Sequence, residues 1–85
     1  MILAVDVGNT HTVIGLYQGK KLSQHWRLLT EAERTADEYG VLLRSLFSAY
    51  EVPFSAVQGI AISCVVPPMN NVMEELAQNY FHIRA

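Results

Sequence analysis

Apolar and polar positions divide the chain into four strand-like stretches and two helical ones. The runs Ile2–Val5 and Gly59–Val66 are almost continuously apolar, which is typical of strands buried in the interior of a sheet. Thr12–Tyr17 is rich in β-branched and aromatic residues, and Lys21–Leu29 alternates between apolar and polar residues, so both predict strands. The alternation in the last stretch predicts one apolar and one polar face: Leu22, Trp26 and Leu28 against Ser23, His25 and Arg27.

The first helical stretch has a clear beginning and a clear end. Thr35 and Glu38 have the spacing of a capping box, so the helix should begin at about Ala36, and Pro53 ends the segment. Gly40 costs about 1 kcal/mol relative to Ala inside a helix, and we expect it to permit close packing on the sheet. The apolar residues follow the spacing of an amphipathic helix: Tyr39, Leu42, Leu43, Leu46, Phe47 and Tyr50.

The second helix opens at Pro67-Pro68, because proline is tolerated in a first helical turn. The predicted order is therefore βββαβα, an α/β fold with a mixed sheet. The first three strands form an antiparallel meander, and a right-handed crossover lays the fourth beside the first, giving the spatial order 3-2-1-4. The second helix has its own apolar stripe: Met69, Val72, Met73, Leu76, Ala77 and Tyr80.

Composition narrows the classes of function. The chain has 85 residues, of which 51% are apolar and 16% charged, so it is globular and forms a core. The net charge is −2 without a basic cluster, so we expect no nucleic acid and no membrane surface as a partner. Cys64 is the single cysteine, which excludes an internal disulfide and fits a reducing cytosol. Asp6 interrupts the first apolar run, so we expect no signal peptide.

The stretch Asp6–Gly15 contains the residues with candidate chemistry. Gly8 allows a positive φ and leaves space for a ligand, while the turn amides with Asn9 and Thr10 can hold a phosphate. Asp6 cannot contact that phosphate directly, because two like charges at about 4 Å repel by roughly 4 kcal/mol at an effective dielectric near 20. A carboxylate there implies a cation between the two, most simply Mg²⁺. An ordinary hairpin turn explains the same residues equally well.

Three stretches of the chain resemble one protein family. Asp6–Gly15, with the sequence DVGNTHTVIG, is similar to the first phosphate-binding loop of the superfamily of sugar kinases, heat-shock chaperones and actin. The form with Asn directly after Gly resembles the type III pantothenate kinases, also known as Bvg accessory factors. Arg34–Tyr39 and Ile62–Pro68 fit the same family and occur in the same order along the chain.

The resemblance implies a fold, a reaction and a set of site residues. The fold is a ribonuclease H-like (actin-like ATPase) half-domain, with residues 1–85 as the amino-terminal part of the first domain and the second domain absent. The reaction is the ATP-dependent phosphorylation of pantothenate, which opens coenzyme A synthesis, in a cytoplasmic homodimer that uses Mg²⁺ and a monovalent cation, K⁺ or NH₄⁺. Asp6 would hold Mg²⁺ through water, and the catalytic residues would lie beyond Ala85. The implied ATP- and phosphate-binding residues are Asp6, Val7, Gly8, Asn9, Thr10, His11, Thr12 and Val13.

Two other classes of function stay open at this point. One is a nucleotide-binding regulatory or accessory protein without kinase activity, and the other is a cell-division or chaperone-type ATPase of the same superfamily. The stretch Val65–Pro68 favours the kinase family over the second. The sequence after Ala85 discriminates between kinase and accessory protein.

Single residues outside the loop favour structural roles. His25 and His82 are expected at the surface, and Cys64 is expected to be a small buried residue. Asp37 is placed to interact with the helix dipole. Arg34 and Asp37 are the weaker candidates for a role at the active site.

Overall fold

Four strands and two helices follow one another in the order that the hydrophobic pattern predicts. The computed structural model describes residues 1–84; Ala85 lies outside the described residues. The spatial order β3-β2-β1-β4 is confirmed, and it is the order of the actin-like half-domain that the resemblance implies. A short 3₁₀ turn precedes the last strand. The elements are β1 (Ile2–Val7), β2 (His11–Gln18), β3 (Lys21–Leu29), α1 (Ala36–Ala49), the 3₁₀ turn (Phe54–Ala56), β4 (Gly59–Cys64) and α2 (Met69–Phe81).

Strand β1 lies inside the sheet and is paired on both sides. It runs antiparallel to β2, with Val7 opposite Thr12 at the end of the ladder. It runs parallel to β4, with Val7 beside Cys64. The carboxyl ends of β1 and β4 therefore meet at the same edge of the sheet.

Strand β4 is shorter than predicted, ending at Cys64 instead of Val66. One more contact follows it, because the Val65 amide donates a hydrogen bond to the Val7 carbonyl at 3.0 Å. Pro67 and Pro68 come next, and proline has no N–H with which to continue a ladder. The chain consequently leaves the sheet and turns into α2.

The predicted faces of β3 are wrong at one residue, Leu22. Leu16 pairs with Gln24, but the next residue of β2, Tyr17, pairs with Leu22, so Ser23 is an extra residue in the ladder. Such a β-bulge reverses the alternation of the residues beyond it. Leu22 therefore lies on the face opposite Trp26 and is 44% exposed.

Both helices pack on one face of the sheet, where the hydrophobic core forms. Trp26 of β3 packs against Phe47 of α1 with 5.3 Å between ring centroids, as expected of a sheet-packing residue. Phe47 in turn lies 5.9 Å from Phe81 of α2. Sheet and helices contribute to a single core: Leu3, Val5, Val7, Ile14, Leu16, Trp26, Ala36, Tyr39, Leu43, Phe47, Val57, Met69, Met73, Leu76 and Phe81.

The predicted capping box at the start of α1 is confirmed. The Glu38 amide donates to the Thr35 hydroxyl at 3.2 Å. The Thr35 amide donates to the Glu38 carboxylate at 2.9 Å. These two bonds satisfy backbone donors that a helix otherwise leaves without a partner, so Thr35 and Glu38 fix where α1 begins.

Gly40 does permit a close approach, but the partner is α2, and the prediction that it packs on the sheet is wrong. A Cβ at Gly40 would lie 2.6 Å from the Tyr80 ring. The Tyr80 hydroxyl then reaches over α1 and donates to the Asp37 carboxylate at 2.6 Å.

The hydrogen bond from Tyr80 to Asp37, together with desolvation and the carboxylate's charge, raises the pKa of Tyr80 above its ordinary value. The stabilisation it provides is therefore present below the pKa of a free tyrosine, about 10, and is lost as the pH rises through the raised value.

The other face of the sheet, called the outer face below, carries no helix within residues 1–84. Three of its apolar side chains are exposed to similar extents: Ile2 at 43%, Val13 at 39% and Leu22 at 44%. No helix in the described part of the chain is both long and apolar enough to cross a bilayer. The outer face is formed by Ile2, Ala4, Asp6, His11, Val13, Gly15, Tyr17, Leu22, His25, Arg27, Leu29, Gly59, Ala61 and Ser63.

The contact between Gly40 and Tyr80 makes the effects of substituting the two residues interdependent. In a Tyr80→Ala background, Gly40→Ala should stabilise the chain by about 1 kcal/mol, which is the difference in helix propensity. With Tyr80 present the gain should disappear, because the new Cβ displaces the ring and its bond to Asp37. Urea unfolding of the four variants measures this, and Ser45→Ala, on an exposed part of the same helix, is the control that should not depend on Tyr80. Additive effects of Gly40→Ala and Tyr80→Ala would contradict the prediction.

The outer face should make this chain self-associate. Exposed apolar surface next to free strand edges promotes association. Leu22→Lys puts a charge on the outer face and on the edge strand β3, so it should shift the chain toward monomer in sedimentation. Val41→Lys is the matched control, because Val41 is 61% exposed but lies on α1, on the other side of the sheet from the outer face. An equal effect of the two substitutions, or a parent that is monomeric at all concentrations, would contradict this role of the outer face.

Candidate functional site

A tight turn joins β1 to β2 at the edge where the parallel strands end. The Gly8 amide donates to the His11 carbonyl at 3.0 Å, so Asn9 and Thr10 form the tip. Both tip residues are exposed, and neither has a positive φ. The turn thus presents two consecutive backbone amides and two short polar side chains at one place.

Backbone hydrogen bonds hold this turn from two directions. On one side, Val7 accepts from the Val65 amide at the end of β4. On the other side, the Thr10 carbonyl accepts from the Thr30 amide, just past β3, at 2.8 Å. The Thr12 and Thr30 hydroxyls lie 2.9 Å apart and hydrogen-bond beneath the turn. The position of the tip is therefore set by the sheet itself.

The amides of Asn9 and Thr10 remain available to a ligand. Within residues 1–84 neither of them donates to a backbone carbonyl, whereas the neighbouring Gly8 amide does. Consecutive free amides at a turn form a concave set of donors that favours an anion. The geometry consequently suits phosphate oxygens approaching the tip of the turn.

The predicted positive φ of Gly8 is wrong, and a close contact inside the turn gives a further reason for a glycine at this position. Its φ is not positive, since Gly19 is the one glycine of the described residues with such a φ. A Cβ at Gly8 would also lie 3.0 Å from the His11 carbonyl oxygen, which is tighter than nine in ten real Cβ contacts. A side chain there would push this carbonyl away and strain the hydrogen bond that closes the turn.

Asp6 lies on the outer face, two residues before the turn. It is exposed and pairs with Val13 on β2 and with Ser63 on β4. These three residues, together with His25, line an open cavity of about 560 Å³ on the outer face. The carboxylate is thus close to the turn but does not belong to it.

The structure separates the predicted site residues into two groups. The side chains of Asp6, Asn9, Thr10, His11 and Val13 are exposed, and Gly8 is half-buried. By contrast, Val7 and Thr12 are buried in the core, with 0% and 1% of their surface exposed. Val7 and Thr12 can therefore meet a ligand only through their backbone.

The residues of this site fit a hydrated magnesium ion better than a metal held by protein alone. No group of three metal-ligating side chains occurs in residues 1–84. Mg²⁺ usually keeps several waters and is held by one or two carboxylates together with substrate phosphates. A single accessible carboxylate beside a phosphate-binding turn matches that donor set.

Several other candidate residues are engaged away from the turn or lie at the surface. The Arg34 guanidinium donates to the Leu29 carbonyl at 3.4 Å and lies over the Tyr39 ring. Asp37 accepts from Tyr80. His25 and His82 are exposed, as predicted. Cys64 is half-buried, with its sulfur 3.2 Å from the Val66 carbonyl.

Sequence reasoning missed Ser63. It lies beside Asp6 in the parallel ladder and lines the same cavity. The sequence indicates a role for Ser63 only when β4 is aligned with β1 residue by residue. Without that alignment, Ser63 is simply one polar residue in an apolar strand.

Comparison with known proteins decides which phosphate-binding family this turn belongs to. The sequence model of the type III pantothenate kinase family matches residues 2–85. The chain belongs to the type III pantothenate kinase family. It is 48% identical over 84 residues to the type III pantothenate kinase of an Exiguobacterium species, covering 99% of this chain and 33% of that protein. The enzymes of Halalkalibacterium halodurans and Syntrophus aciditrophicus are 49% and 45% identical, over 98% and 99% of the chain and 33% of each enzyme.

The chain spans about a third of the length of the curated relatives it matches. The matched third contains the turn Gly8–His11, Asp6 and the four-stranded sheet. Family membership and fold are thus established for this part.

Proposed function

We propose that the full-length protein transfers the γ-phosphoryl group of ATP to pantothenate. The observation that supports this most directly is the turn Gly8–His11, whose two free amides lie beside an exposed carboxylate in a chain that belongs to the type III pantothenate kinase family. In this proposal residues 1–84 form one wall of the ATP site.

The turn binds the phosphates of ATP. The amides of Asn9 and Thr10 donate to phosphate oxygens, and their side chains add donors on either side. Gly8 keeps the turn closed and leaves the approach free. Phosphoryl transfer depends mainly on positioning and on stabilising charge, so a turn without any proton chemistry can contribute much of the rate.

Asp6 holds the magnesium ion through water. When bound, Mg²⁺ neutralises charge that develops on the phosphate oxygens. Asp6 is exposed and makes no hydrogen bond with another side chain in residues 1–84, so its carboxylate is free for this role.

The remaining parts of the proposal rest on the family resemblance. They are a catalytic aspartate outside the described residues, a monovalent cation such as K⁺ or NH₄⁺, a homodimer and a cytoplasmic location. It follows from the proposal that this chain by itself binds phosphates without phosphorylating pantothenate.

Replacing Asp6 with Asn should abolish most of the activity and leave the fold intact. The amide has nearly the same shape but no charge with which to hold Mg²⁺, so kcat/KM for pantothenate phosphorylation should fall by about 10²-fold or more. Unfolding should change little, because Asp6 is exposed. A coupled assay of ADP release at saturating Mg·ATP measures the rate in the full-length protein.

Asp37→Asn is the matched control for Asp6→Asn, since it makes the same chemical change on the helix side of the sheet. It should leave kcat/KM within about twofold, as surface substitutions away from a site usually do. Full activity of the Asp6→Asn protein would reject a metal-holding role for Asp6.

Gly8→Val should weaken ATP binding strongly. The side chain would collide with the His11 carbonyl, open the turn and occupy the space that a phosphate needs. We expect the dissociation constant for Mg·ATP, measured by calorimetry, to rise by at least about 30-fold, which corresponds to roughly 2 kcal/mol. Gly19→Asn, in the hairpin at the far end of β2, is the control and should bind ATP normally. Equal affinities of the Gly8→Val and parent proteins would show that Gly8 is an ordinary turn residue without a role in nucleotide binding.

A further inference from the structure

Ser63 occupies the position beside Asp6 in the parallel ladder between β1 and β4. Neighbouring strands are about 4.8 Å apart, and partners in a ladder point to the same face of the sheet. The backbones of Ser63 and Asp6 are therefore about 5 Å apart, and their side chains are neighbours on the outer face. Both residues are exposed and line the same cavity.

Neither of these side chains is used to hold the fold together. The side-chain hydrogen bonds of residues 1–84 involve other residues, among them the Thr12–Thr30 and Tyr80–Asp37 pairs. Cys64, the next residue of β4, makes a local hydrogen bond to the Val66 carbonyl. The side-chain contact at the end of the strand therefore does not involve Ser63. The packing of the core on the opposite face does not require a hydroxyl at this position.

The end of β4 is also fixed relative to the phosphate-binding turn. The bond from the Val65 amide to the Val7 carbonyl lies two residues beyond Ser63 and one beyond Asp6. A shift of the β4 backbone relative to β1 at this end would break this bond. The backbones that carry the two polar side chains are thus held in register next to the turn.

We propose that Ser63 is the second side chain, after Asp6, that holds the hydrated magnesium ion, with its hydroxyl hydrogen-bonded to water of that ion. This deepens the proposed function and rests on it. Asp6 supplies the charge, and Ser63 fixes the orientation of the water layer between the carboxylate and the ion. Ser63 is a positioning residue and takes no part in the transfer itself.

The test measures how ATP binding depends on magnesium, which does not require turnover. The affinity of the full-length protein for ATP is measured by calorimetry over a series of Mg²⁺ concentrations and in EDTA. Ser63→Ala should raise the Mg²⁺ concentration at half-effect by about threefold to tenfold, the range of one hydrogen bond, and leave binding in EDTA unchanged. Ser63→Thr keeps the hydroxyl on a strand that tolerates β-branching, so it should restore the parent value. Ser45→Ala, on the exposed face of α1, is the control for removing a surface hydroxyl.

The outcomes separate this inference from the proposed reaction. If Ser63→Ala shows the parent's dependence on Mg²⁺, or if Ser63→Thr fails to restore it, the role of Ser63 is rejected while the kinase proposal stands. If the shift and its restoration occur in a protein that does not phosphorylate pantothenate, the role of Ser63 is supported and the proposed reaction fails. ATP binding by the parent that is independent of Mg²⁺ would overturn the role of Ser63 as well.

Discussion

The pairing of β1 on both sides is the constraint on which the rest of the structure depends. With β2 antiparallel on one side and β4 parallel on the other, every residue from Ile2 to Val7 has a partner in both ladders. The first backbone groups that are free to bind a ligand are therefore those of the turn that follows β1. A phosphate-binding turn and a carboxylate occur together there because Asp6 and the turn belong to the same rigid strand.

Charge explains why the carboxylate and the turn are offset from each other. A phosphate held by the amides of Asn9 and Thr10 meets partial positive charge, whereas the same phosphate in contact with Asp6 would be repelled by roughly 4 kcal/mol. Placing Asp6 on the outer face, two residues before the turn, leaves room for a hydrated cation between the two. Hydrogen bonds to Val65 and Thr30 keep this spacing fixed, so no loop has to be ordered before a ligand binds.

Local patterns in the sequence predicted the elements, their order and the turn. The Thr35–Glu38 spacing located the start of α1, because a capping box is a contact between near neighbours in sequence. The bulge at Ser23 was not predictable, since it depends on how β3 is paired and an alternating pattern continues straight through it. The partner of Gly40 depends on where α2 packs, and the pairing of Ser63 with Asp6 depends on the register of two strands more than 50 residues apart. In each case the missing information lies in a contact distant in sequence. The resemblance identified the family, but it did not show that Val7 and Thr12 face the core.

The role of the turn is tested most directly by observing which backbone amides respond to nucleotide. In ¹H–¹⁵N spectra of the full-length protein titrated with Mg·ATP, we predict that the largest shifts among residues 1–84 occur at Asn9 and Thr10. The Gly8 amide should shift less, because it already donates to the His11 carbonyl. Saturating Mg·ATP that leaves the Asn9 and Thr10 amides unchanged would contradict the assignment of this turn as the phosphate-binding element.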